Sequence, residues 1–159
     1  MKEFLIKFFA SGFGFGFYIP FIPGAWGILL GTILSILINN WPIFLKILFT
    51  FGFLILAIYI SGEAEKFIAK GKDPHCIVID ETAGILIASI WFDIYSRINL
   101  FAITIPLFVV IYFLFALFDS IKIIPIKEIA KLPGGWGIVL DDVVAGLYTI
   151  IILLIILNF

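Results

Sequence analysis

Residues 132–146 read LPGGWGIVLDDVVAG, a glycine-rich turn followed by two adjacent aspartates at the head of an apolar run, residues 143–157, that carries no charge. Charge so close to a lipid-compatible stretch needs a physical reason. The pattern places Asp141 and Asp142 near a membrane surface at the start of a helix, where free backbone N–H groups and the helix dipole favour anions. The same design recurs at residues 77–84, IVIDETAG, which set Asp80 and Glu81 at the head of another apolar segment. Four carboxylates at two helix starts predict one metal-dependent site.

Working outward, the composition makes the whole chain, residues 1–159, a single membrane-embedded domain. Hydrophobic residues are 64% of the sequence and charged ones 13%, and mean hydropathy is +1.26, more apolar surface than a water-soluble core of this size hides. The net charge of −1 gives no basic footprint for nucleic acid. One cysteine, Cys76, excludes an intrachain disulfide framework. The basic, apolar start MKEFLIKFFASGFGFGF resembles a signal peptide, but it lacks an A-x-A cleavage site and is expected to be retained.

The pattern predicts an all-α polytopic bundle of about four to five membrane segments, with interfacial helices and loops on one face. Residues 1–25 read as an interfacial helix and a loop broken by glycines and prolines. Residues 26–38 are apolar but short of the roughly 20 residues a perpendicular span needs, so they form a thin span or a re-entrant segment. Residues 41–60 read as a transmembrane helix with Lys46 snorkelling near one end. Residues 61–75 read as its polar helical extension, ending at Gly71 and Pro74. Residues 77–92 return into the membrane, residues 93–99 turn, and residues 100–118 span with Pro106 as a tolerated kink. Residues 119–137 form a second polar loop before a last span, residues 138–159. If residues 41–60 run inward, eight of the ten basic residues are cytoplasmic (Lys2, Lys7, Lys66, Lys70, Lys72, Lys122, Lys127 and Lys131). Asp73, Asp80, Glu81, Asp119, Asp141 and Asp142 then share that inner interface, and Asp93 and Arg97 lie outside. IPGAWGILL from Ile22 and LPGGWGIVL from Leu132 agree at six of nine positions, so two Pro-Gly turns are expected to open two helices alike.

Adjacent carboxylates repel, and a divalent cation removes that cost. Oxygen donors without clustered His or Cys suit Mg2+, and His75 and Cys76 read as loop residues. The bland alternative is ion pairing with lysines at the interface. A metal site at a lipid surface, ringed by lysines and glycine turns, suits a phosphate carried on a lipid. Thr82, not arginine, stands six residues after Cys76, against a cysteine phosphatase, and one histidine with one arginine is too few for a histidine lipid phosphatase. No P-loop signature is present.

Three blocks, GFGFGFYIPFIPGAWG from Gly12, KDPHCIVIDETAG from Lys72, and FDSIKIIPI followed by LPGGWGIVLDDVVAG from Phe118, give the chain its resemblance to the phosphatidylglycerophosphatase A family. That resemblance implies a Mg2+-dependent enzyme of the inner (cytoplasmic) membrane, working on the cytoplasmic face, that hydrolyses phosphatidylglycerophosphate to phosphatidylglycerol and phosphate. Carried onto this sequence, the catalytic set is Asp80, Glu81, Asp119, Asp141 and Asp142, with Asp73 a weaker member. Asp80, Glu81, Asp141 and Asp142 are the metal ligands, Glu81 serving either in the shell or as a base. Lys72, Lys122 and Lys131 with Gly134 and Gly135 are the substrate contacts. Ala116, Ile123 and Ala25 stand where arginine, proline and threonine are expected. Attack by water and a phospho-enzyme on an aspartate remain open, as does an oligomer. A phosphatase or pyrophosphatase for another lipid phosphate, such as a polyprenyl one, and a small cation carrier are the competing readings.

Overall fold

The computed structural model describes residues 1–18, 23–68, 74–100 and 103–157. In chain order its elements are α1 (Lys2–Ala10), α2 (Phe15–Tyr18), α3 (Pro23–Ile38), α4 (Ile43–Phe67), α5 (Ile79–Ser89), β1 (Arg97–Leu100), β2 (Ile103–Pro106), α6 (Leu107–Ile121), α7 (Ile126–Ile129) and α8 (Gly135–Leu157). The chain is thus mostly helical.

The shortest of the main helices organises the rest. Nine of the eleven residues of α5 are buried, because α3, α4, α6 and α8 all pack around it. Small residues let the neighbours come close. The Thr82 hydroxyl of α5 donates to Gly27 O of α3 at 2.9 Å, and Ser35 and Ser89 share a hydrogen bond of 2.7 Å further along the same pair. Helices α3 and α5 therefore run parallel. So do α5 and α8, since a Cβ on Gly84 would stand 3.0 Å from Asp142 O and one on Gly146 would stand 3.3 Å from Ala88 N. Helices α4 and α6 run the opposite way, with the end of α4 at Gly62 against the start of α8 at Gly135. Three helices begin, and two end, at one end of the bundle. Helix α1 lies along α4 there, where the Lys2 ammonium meets Glu63 at 3.1 Å. That hydrogen bond raises the Lys2 pKa above its ordinary value, a weak surface tie.

At the other end, Asn39 bonds Asp93 at 3.0 Å through its amide and accepts from Ile94 N at 3.1 Å, joining the α3–α4 turn to the segment after α5. Here the structure corrects the expected span over residues 100–118 and adds a pair of short strands to an otherwise helical fold. Strands β1 and β2 pair antiparallel, with Asn99 facing Thr104, and α6 starts only at Leu107. The β-branched Ile98, Ile103, Thr104 and Ile105 favour the strands. Pro106, expected as a kink inside a helix, is instead its N-cap, with the extended backbone typical of proline.

Among the described residues two helices, α4 and α8, are long and apolar enough to cross a membrane, which suggests membrane association. Apolar α3 and α6, at 16 and 15 residues, are about 24 and 22 Å long, short of a roughly 30 Å hydrocarbon core. Only 17% of the apolar window of α4 is buried inside the molecule, against 44% for α8, so α4 is the outer helix and α8 an inner one. Phe44, Leu48, Phe51 and Ile55 of α4 form an exposed apolar flank larger than water tolerates.

Two boundaries differ from expectation with consequences for the acids. Helix α8 opens at Gly135, so Asp141 and Asp142 lie nearly two turns inside it, beyond the free N–H groups of its first turn. The segment 119–137 is not one loop, since α6 carries Asp119 in its last turn and α7 follows. The paired Pro-Gly-Trp segments also open their helices differently. Helix α3 includes its proline, whereas Gly134 sits outside α8 at φ +59°. The expected helix end at Gly71 lies outside the described residues.

Close packing at Gly135 yields a stability test. A Cβ there would run into Ile58 O and Gly62 N, whereas Gly52 has nothing within 4 Å. Gly135→Ala is expected to cost about 1–3 kcal/mol from overpacking. Gly52→Ala is expected to gain up to about 1 kcal/mol from helix propensity, both read as thermal unfolding in detergent.

Candidate functional site

Where α3, α5 and α8 begin and α6 ends, a cavity of about 270 Å³ opens, lined among others by Gly24, His75, Asp80, Glu81, Asp119, Lys122, Asp141 and Asp142. Each acid arrives from a different constraint. Asp80 and Glu81 are in the first turn of α5, where the dipole offsets part of their charge. Asp141 and Asp142 project from the second turn of α8, and Asp119 from the last turn of α6.

One carboxylate oxygen from each of Asp80, Glu81 and Asp142 lies within 4.8 Å of the other two. Asp80 and Asp142 are 5% and 4% exposed, so water screens their charges little. Asp119 adds a further acidic neighbour to both Glu81 and Asp142. Glu81 Oε2 is buried with no hydrogen-bond partner, a costly state for a carboxylate oxygen unless something else binds it. The glycines of α3 make room for this side chain, since a Cβ on Gly24 would stand 2.6 Å from Glu81 Oε1 and one on Gly27 would stand 2.9 Å from Oε2. All-oxygen donors gathered around one point can hold a hard divalent cation.

Asp141 is engaged differently. Its Oδ2 accepts from Lys122 Nζ at 2.7 Å and its Oδ1 from Asp142 N at 3.1 Å, so its carboxylate fixes a cation beside the other three acids. Lys122 ends α6 in the left-handed region, at φ 45° and ψ 58°, a conformation non-glycine residues seldom adopt. That strained cap turns the chain just where the ammonium reaches Asp141.

The structure brings Asp80, Glu81, Asp119, Asp141, Asp142 and Lys122 to one cavity. It sets three of the expected contacts elsewhere. Lys131 is exposed and paired with Glu128 at 2.8 Å. Gly135 is buried against Ile58 and Gly62 of α4, and Gly134 stands beside that contact, near Glu65. Lys72 and Asp73 lie outside the described residues. Sequence reasoning passed over His75 as a loop residue, yet it lines the cavity. Its place in the turn before α5, five residues ahead of Asp80, was the only available signal. Lys122 and His75 are the basic side chains lining the cavity among the described residues.

A family model described as phosphatidylglycerophosphatase A matches residues 8–157. The chain is 31% identical over 154 residues to a putative phosphatidylinositol-3-phosphatase of Bacteroides thetaiotaomicron, covering 95% of this chain and 92% of that one. It is 33% identical over 149 residues to phosphatidylglycerophosphatase A of Haemophilus influenzae, covering 92% of this chain and 85% of that one. No solved structure matches.

The Lys122–Asp141 pair is testable by itself. Lys122→Met leaves a buried carboxylate without its cation and is expected to lower stability by about 1–3 kcal/mol. Adding Asp141→Asn should restore most of that loss in thermal unfolding, and a double variant as unstable as the single one would show that the pair is not what holds this corner.

Proposed function

The chain belongs to the phosphatidylglycerophosphatase A family, and on that premise we propose that this phosphatase hydrolyses the terminal phosphate monoester of phosphatidylglycerophosphate, with Mg2+, to phosphatidylglycerol and phosphate. The observation that supports the reading best is the set of three carboxylate oxygens from Asp80, Glu81 and Asp142, within 4.8 Å of one another, in the same cavity as Lys122.

In this mechanism Asp80, Glu81 and Asp142 hold the ion. When bound, Mg2+ supplies Lewis-acid stabilisation of the charge on the phosphoryl oxygens. Asp141 holds Lys122 so that the ammonium faces the same oxygens, as phosphoryl transfer requires. Asp119, lining the cavity outside the three-carboxylate set, accepts a proton from the attacking water. The water oxygen bonds to phosphorus as the bridging P–O bond breaks, and the electron pair leaves on the glycerol oxygen. That oxygen takes a proton from solvent at the cavity mouth, where His75 is exposed. Were Asp119 the nucleophile instead, the acid-quenched protein would carry a phosphoryl group.

The proposal extends to topology. The two helices that meet the length of a span, α4 and α8, are joined in the membrane by α3, α5 and α6, giving five embedded segments with the acidic end at the cytoplasmic face of the inner membrane. Lys2, Lys7, Lys66, Lys122, Lys127 and Lys131 support that orientation. A second reading keeps the chemistry and changes the headgroup. The similarity to the Bacteroides putative phosphatidylinositol-3-phosphatase favours a phosphoinositide monoester as that alternative.

The test is phosphate release in detergent micelles from phosphatidylglycerophosphate and from phosphatidylinositol 3-phosphate, with and without Mg2+. Release from the first alone, abolished by chelation, is the expected result, and release from the second alone would transfer the reaction to the inositol lipid. Asp80→Asn and Asp142→Asn are each expected to lose on the order of 10²–10³ in turnover. Near wild-type rates in both would sink the metal assignment.

A further inference from the structure

On the opposite side of the first turn of α5 lies a second cavity, about 460 Å³, between α1, α3, α4 and α5. Its volume is within the roughly 300–1,000 Å³ usual for ligand pockets. We propose that it binds one acyl chain of the lipid whose phosphate enters the acidic cavity, an inference that rests on the lipid-monoester reading above.

Three observations carry it. First, the cavity is dry by construction. Among its lining residues the Thr82 hydroxyl is committed to Gly27 O and Val78 O at 2.9 and 3.0 Å, and Gly12 O accepts from the Trp26 indole at 2.9 Å. Water entering would find few partners, which leaves an apolar occupant. Second, the two cavities share walls. Ile79 and Thr82 line the apolar one and their neighbours Asp80 and Glu81 the acidic one. On α3, Gly24 lines the acidic cavity and Leu30 the apolar one, six residues or about 9 Å further along the helix. Two glycerol units and a phosphodiester separate the terminal phosphate from the acyl chains of phosphatidylglycerophosphate, a spacer that bridges such an offset. Third, backbone strain is placed at the rim. Phe13 has φ +64°, rare for a bulky residue. Ser11 fixes that turn by donating to Lys7 O at 2.6 Å and accepting from Gly14 N at 3.1 Å. The turn holds Phe13 edge-on to Phe9, with ring centroids 6.1 Å apart, and both rings are about half exposed at the cavity. Strain kept at a cavity mouth is typical of functional placement.

The test uses the full chain in detergent, phosphatidylglycerophosphate with long acyl chains, and the same headgroup on two six-carbon chains. Ile33→Trp and Leu56→Trp fill the cavity from opposite walls, and both positions are exposed enough to accept the larger side chain. Leu37→Trp, on α3 but outside the cavity, is the control. Each filling variant is expected to raise KM for the long-chain lipid roughly tenfold, the equivalent of keeping about two methylenes out of the cavity. The kcat, and both constants for the short-chain lipid, should stay unchanged. Long-chain KM values equal to the control, or equal losses on both lipids, overturn the proposal.

A readout independent of turnover separates this proposal from the one it rests on. Phosphatidylglycerol with a photoreactive group in mid-chain should label the peptides around Ile33, Phe53 and Leu56, and the label should fall in Ile33→Trp. Label spread evenly over the outer flank of α4 overturns the acyl site. Cavity labelling by a protein that releases no phosphate from either lipid would keep the acyl site and reject the reaction.

Discussion

The structure depends on keeping like charges together where water is scarce. Asp80, Glu81 and Asp142 converge at the buried start of α5, and Asp119 and Asp141 stand close by. In isolation such a cluster would drive the helices apart or take up protons. The bundle answers with opposite partial and full charges. Three helix N-termini point to this end, Lys122 is drawn to Asp141 by the strained end of α6, and the three-carboxylate set can take up a cation. A helix as short as α5 can bring its acids to that point because it is enclosed by longer ones.

Glycine supplies the geometry that charge demands. Glu81 turns toward α3 because Gly24 and Gly27 leave the space a Cβ would occupy, and α8 lies close to α5 because Gly84 of α5 and Gly146 of α8 face each other. Small residues at helix contacts are common where lipid provides no hydrophobic drive for association. Here they also decide where the carboxylates point, so packing and chemistry share the same positions.

Much of this was legible in the sequence, for reasons that also set the limit. Paired acids beside long apolar runs are rare enough to mark the cavity, and DE and DD both line it. The start of α8 was misjudged because glycines were read as turn residues, whereas Gly135 and Gly137 are helical and allow close contacts. The strand pair β1–β2 was missed because the short run Ile103-Thr104-Ile105 is nearly as apolar as the helix after it, and periodicity cannot separate such runs. Asp141 could not be told from Asp142 by adjacency alone. About 100° of rotation between neighbouring helical residues sends one to Lys122 and the other to Asp80 and Glu81. The apolar cavity was invisible, since its walls come from four elements brought together only by the fold.

The resemblance to the family leaves one departure that the structure makes physical. Ala116 stands on α6 where the resemblance leads one to expect an arginine, one turn before Asp119, and its methyl packs with the apolar cluster around Phe115. A guanidinium makes a planar, two-pronged contact to a phosphoryl group, which the alanine methyl does not. In the proposed mechanism Lys122, nearly two turns further along and at the helix end, would offer a point charge instead, steadied by Asp141. A lysine ammonium follows a moving phosphoryl group less rigidly than arginine, so more of the orientation must come from the other side chains. In the proposed mechanism that would place more of the task on the acids of α5 and α8, whose own positions are set by the glycines of α3 and by the burial of α5.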